Sequence, residues 1–123
     1  MTKLQNLIKD LKKANQRLKE AAMTKPTQMN KDATIQRFEF TFELAWKTMQ
    51  EYIRDQGFDC KSPKNCIREG AKLDLIDSPE KWFEFLNHRN LIAHTYNEKI
   101  ANTIYRRALK FPKEIDNFLK EII

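Results

Sequence analysis

Glycine and proline are scarce, with 2 Gly and 4 Pro in 123 residues. So few turn formers leave little room for irregular structure. With 33% charged and 41% hydrophobic residues, the composition points to an all-α protein. Cysteine is nearly as rare. Cys60 and Cys66 lie six positions apart with no histidine between them and no second pair, which excludes a zinc site of the usual ligand spacing. Two reduced thiols are expected, with no metal and no cofactor. Nowhere do roughly 18 apolar residues run together, as a membrane-spanning helix requires. The N-terminal MTKLQNLIKDLKK lacks an apolar stretch ahead of a small-residue cleavage site, so the expected compartment is the cytoplasm. There is no internal repeat and no low-complexity segment.

What is present is enough for one domain, residues 1–123, with a real core. The net charge of +6 and a pI near 9.4 favour a polyanionic partner such as RNA, or an acidic protein. A basic, solvated surface is the plainer reading of the same numbers.

Residues 3 to 23 read as a first helix, with Leu4, Leu7, Ile8, Leu11, Ala14, Leu18, Ala21 and Ala22 at spacings of three and four. A loop around Pro26 follows. The second helix spans about Asp32 to Gln56 and carries the stripe Ile35, Phe38, Phe42, Ala45, Met49 and Tyr52, which Phe40, Leu44 and Ile53 widen. Its aromatics make it the expected centre of the core. Gly57 ends it, because glycine accepts the left-handed conformation of a C-terminal cap. Ser62-Pro63 and Ser78-Pro79 each combine a capping serine with a proline suited to the first helical position, so a short third helix and a fourth helix start there. Asn97 caps a fifth, whose stripe runs through Ile100, Ile104, Ala108, Phe111, Ile115, Phe118 and Ile122, bent at Pro112 by one missing hydrogen bond. The expected architecture is an antiparallel four-helix bundle with a short inserted helix, about five helices in all.

The stretch Leu86 to Glu98, LNHRNLIAHTYNE, carries the chemistry. Arg89 precedes His94 by five residues and Tyr96 follows two later. A guanidinium grips phosphate through planar donors, and an imidazole moves a proton near neutral pH, a combination suited to phosphodiester cleavage. Five residues of ideal helix turn the two side chains about 140° apart. Either the helix deforms at this point or the site needs a second copy. His88 reads as a surface residue. Arg, His and Tyr at a helix end can also simply cap carbonyls.

Arg89-Asn90-Leu91-Ile92-Ala93-His94-Thr95-Tyr96 resembles the signature of the HEPN superfamily. Together with Gln36 to Lys47 (QRFEFTFELAWK), Ile67 to Asp77 (IREGAKLDLID) and Trp82, it is similar to the small bacterial nucleotidyltransferase substrate-binding proteins, the HEPN partners of minimal nucleotidyltransferases. The resemblance covers about residues 30 to 110. It implies a homodimeric, metal-independent endoribonuclease toxin in which Arg89 stabilises phosphate charge, His94 transfers the proton, and Asn90 orients one of them. It also implies a cognate nucleotidyltransferase that adenylylates Tyr96 and so silences the nuclease. Glu39, Glu43 and Lys47, spaced by four, read either as a surface ladder or, for Glu43 and Lys47, as a partly buried pair orienting the arginine. A non-catalytic subunit that presents substrate to a nucleotidyltransferase is the other functional reading.

Overall fold

The computed structural model describes residues 1–123, all helix and connection with no strand. Six α-helices follow in order: α1 (Lys3–Ala22), α2 (Gln28–Asp55), α3 (Pro63–Lys72), α4 (Pro79–Asn90), α5 (Glu98–Ala108) and α6 (Phe111–Ile122), with a 3₁₀ turn, Ile92–His94, between α4 and α5. The architecture is the expected all-helical bundle, α3 being the short insertion and α5 with α6 the two halves of the fifth helix.

The start signals act where the side chains can reach an unpaired helical N–H. Ser62 Oγ accepts from the Asn65 amide at 3.1 Å, Ser78 Oγ from Lys81 at 3.3 Å, and Asn97 Oδ1 from Ile100 at 3.2 Å. Gly57, at φ +90°, closes α2 in the left-handed region. α2 begins at Gln28, four residues before the expected Asp32, because Thr27 caps it by accepting from Asn30.

Pro112 does more than bend the last helix. Its nitrogen cannot donate to the Ala108 carbonyl, and its ring crowds that carbonyl. The helix therefore stops at Ala108, and α6 restarts at Phe111 with Pro112 in its first turn, where no donor is needed. Asn15, buried on α1, holds this restart by donating to the Pro112 carbonyl at 3.3 Å and to Asp116 at 3.1 Å.

The cysteines also depart from expectation. In place of two reduced thiols, Cys60 and Cys66 are both buried and joined in a disulfide, with Cα atoms 5.1 Å apart. The α3 start folds Cys66 back over the α2–α3 connection, a closeness that a spacing count does not reveal. Gln50 on α2 fastens the same connection by donating to the Cys60 carbonyl at 2.7 Å.

The core lies along α2, as the stripe requires. Phe38, Phe42, Trp82, Phe85 and Phe111 are all buried, and Phe111 sits among the other four with ring centroids 4.6 to 6.0 Å away. Edge and tilted contacts of this kind add to area burial. Thr34, Thr41 and Thr48 interrupt the apolar face at intervals of seven, yet each buried hydroxyl donates to the carbonyl four residues before it. Phe111→Ala is expected to destabilise the protein by about 3–5 kcal/mol, read as a lowered denaturant midpoint at unchanged m. A loss under about 1 kcal/mol would show that the cluster collapses around the gap.

Candidate functional site

Trp82, Phe85 and Leu86 bury one face of α4, so the helix delivers its last turn, with Arg89 and Asn90, to a fixed place beside α2. There Arg89 Nε donates to Glu43 Oε1 at 2.7 Å, and Nη2 donates to the same oxygen. Nη1 donates to Asn90 Oδ1 at 2.9 Å. The other Glu43 oxygen accepts from the Trp46 indole N–H at 3.1 Å. The guanidinium carbon also lies 5.8 Å from the centre of the Phe42 ring. A charged group gripped from three sides in this way is oriented before any ligand arrives. Both partners of the pair are only partly buried, so solvent still reaches the remaining guanidinium N–H groups.

After Asn90 the helix gives way to the tighter 3₁₀ turn, in which the His94 amide donates to the Leu91 carbonyl at 2.9 Å and the Asn97 amide to the His94 carbonyl at 3.0 Å. The helix thus deforms between the two residues, one of the two alternatives that the five-residue spacing leaves open. His94 and Tyr96 both face solvent, Tyr96 with 85% of its surface exposed, and His94 Nδ1 lies 3.3 Å from the Tyr96 hydroxyl. The imidazole Nε2 has no partner within the protein. Arg89 and His94 do not hydrogen-bond to each other within the chain; each has its own set of partners.

Of the residues picked out by sequence, Arg89, Asn90 and Glu43 converge, and His94 and Tyr96 form a second, adjoining pair. Lys47 does not join them. It is exposed and pairs with neither Glu43 nor Arg89. Trp46, three residues from Glu43, is the neighbour that holds the carboxylate instead. An aromatic with a polar tip beside an acidic residue on one helix face was the signal for it. His88 is half-buried and donates through Nδ1 to the Glu84 carbonyl, an ordinary intrahelical contact.

The helical fold and this Arg-x4-His turn make the protein HEPN-like. More specifically, the chain belongs to the family described as nucleotidyltransferase substrate binding protein like, whose model matches residues 2–122. A protein of Haemophilus influenzae (strain ATCC 51907 / DSM 11121 / KW20 / Rd) named probable ribonuclease HepT is 33% identical over 92 residues, 71% of this chain. The chain covers 58% of that curated relative's length. A solved structure from Thermus thermophilus superposes with a TM-score of 0.86 at 36% identity, over 90% of this chain and 97% of that one. Another, from Haemophilus influenzae, is described as revealing the fold of a substrate binding domain of a nucleotidyltransferase. It shares the fold with a TM-score of 0.82 at 24% identity, over 93% of this chain and 97% of that one.

A double-mutant cycle of Glu43→Gln with Arg89→Met is expected to give a coupling of about 1 kcal/mol in unfolding free energy, between the values of exposed and buried pairs. Lys47→Ala should change stability by less than about 0.5 kcal/mol. Additivity of the first pair within about 0.3 kcal/mol would remove Glu43 as the anchor of Arg89.

Proposed function

We propose that the protein is a metal-independent endoribonuclease of the HEPN toxin type, restrained by a cognate nucleotidyltransferase that adenylylates Tyr96. The observation that carries this reading is the division of the motif into an oriented cation and an open imidazole: Glu43 and Asn90 hold Arg89, while His94 leaves Nε2 to solvent. The ribose 2′-hydroxyl is the nucleophile. His94 takes its proton as the oxygen attacks phosphorus, Arg89 offsets the charge that builds on the phosphorane oxygens, and the 5′-oxygen leaves as a hydroxyl, taking a proton from solvent, as the 2′,3′-cyclic phosphate closes. The name of the Haemophilus relative, a probable ribonuclease, supports RNA cleavage as the activity.

Arg89 and His94 act on one phosphate across a homodimer, each copy supplying its half. The exposure of Met29 and Tyr96, which line a groove of about 790 Å³ between α2 and the motif turn, supports this turn as the meeting face. No helix is long and apolar enough to cross a membrane, and the cytoplasm, where RNA and ATP are at hand, is the proposed compartment. Tyr96 suits modification because its hydroxyl is reachable and adjoins His94; an adenylate there brings a bulky phosphate diester into the space that substrate must enter.

The second reading, a non-catalytic subunit presenting substrate to a nucleotidyltransferase, is favoured by the description of the family itself. His94→Ala is expected to abolish RNA cleavage with an unchanged helical spectrum, and wild-type products should carry 2′,3′-cyclic phosphate. Tyr96→Phe should block the gain of one adenylate mass on incubation with ATP and the partner enzyme, while leaving cleavage intact. A stable complex with the partner, without cleavage by either form, would establish the subunit reading instead.

A further inference from the structure

Phe40 stands apart from the aromatic cluster. It belongs to the apolar side of α2 by sequence, yet 54% of it is exposed. It lines a groove of about 440 Å³ between α1 and α2, within the roughly 300–1,000 Å³ range of ligand clefts. Ala14 and Leu44 supply the rest of the apolar lining, and Lys13, Arg17 and Arg37 the cations. Arg37 is fixed there, its Nη1 donating to the Arg17 carbonyl at 2.9 Å.

The helix that supplies Lys13 and Arg17 is itself strongly basic. α1 carries Lys3, Lys9, Lys12, Lys13, Arg17 and Lys19 against only Asp10 and Glu20. Lys3 is paired with Glu51 and Lys19 with Asp116, but Lys9, Lys12, Lys13 and Arg17 have no carboxylate partner. Of the two acidic residues in the groove, Glu43 is neutralised by Arg89, which leaves Asp10 against three cations. Glu43 also makes the groove continuous with the candidate site, since one wall of the groove is the anchor of Arg89.

We infer that this groove is a single-stranded RNA subsite, in which a base flanking the scissile phosphate stacks on Phe40 while Lys13, Arg17 and Arg37 hold the neighbouring phosphates. The inference rests on the ribonuclease reading for its choice of RNA. An exposed aromatic amid unpaired cations suits single strands, whose bases are free to leave the stack and whose backbone carries the complementary charge. A duplex hides the faces that Phe40 would engage. The groove recognises without reading sequence, because every base has a face to stack.

The test separates binding from chemistry by using a fluorescein-labelled, 2′-O-methylated single strand of roughly 12 nucleotides, which no 2′-hydroxyl mechanism can cut. Wild-type protein should bind it by fluorescence anisotropy. Phe40→Ala should weaken binding roughly 5- to 150-fold, and Phe40→Trp should retain it. Lys13→Gln with Arg17→Gln should lower the slope of log affinity against log salt by about 0.7 for each phosphate no longer neutralised. Failure of the wild type to bind, or unchanged affinity in Phe40→Ala with an intact helical spectrum, overturns the subsite. So does a Phe40→Ala protein that falls from dimer to monomer while its RNA affinity holds, since the groove is then a contact between copies. Cleavage is read separately on unmodified RNA. Phe40-dependent binding with no cleavage would leave the subsite and remove the nuclease, whereas cleavage with Phe40-independent binding would do the reverse.

Discussion

The ion pair between Glu43 and Arg89 joins the longest helix to the end of α4, and the geometry of the motif depends on it. An arginine side chain on a terminal helical turn has several free torsions and, left in water, no fixed direction. Glu43 removes that freedom from one side and Asn90 from another, while Trp46 prevents the carboxylate itself from turning. The residues behind this arrangement are buried aromatics: Phe42 beneath the guanidinium, Trp82 and Phe85 along α4. Packing therefore sets the direction in which the one permanent charge of the motif is presented. Removing the carboxylate would leave the arginine charged and in place but free to wander.

Much of the fold was legible because local rules decided it. Serine before proline, asparagine before an apolar repeat, and glycine after one each satisfy a backbone group within four residues, so no knowledge of tertiary structure is needed to place them. The motif was legible through its resemblance to a family signature; the spacing of Arg89 and His94 by itself left open whether the helix deforms between them or a second copy completes the site. The convergence of Glu43 with Arg89 was legible only as one of two readings, since nothing local distinguishes a glutamate facing water from one facing another helix.

The departures have a common cause, which is contact between segments distant from, or folded back on, the residue concerned. Cys60 and Cys66 meet because the chain turns between α2 and α3, and a separation of six positions does not report that turn. Pro112 breaks its helix instead of bending it because Asn15 and Asp116, contributed by α1 and α6, stabilise the restart. A spacing of four groups Lys47 with Glu43, but both Glu43 oxygens are taken by Arg89 and Trp46, and Lys47 stays in solvent. Phe40 shares the apolar composition of α2 without sharing its buried face, since α1 leaves a groove there.

A bundle of this size has few ways to keep a charged, exposed motif in a defined shape. It can bury the motif, at the cost of desolvating the charges, or build the motif from short-range backbone contacts and brace it from one side. The 3₁₀ turn and the Asn97 cap are the short-range contacts, and α2 is the brace. Because α2 also forms one wall of the basic groove, Glu43 touches both the groove and the arginine. One helix thus both anchors the arginine and shapes the groove beside it, so the two keep a fixed relation through a single rigid element.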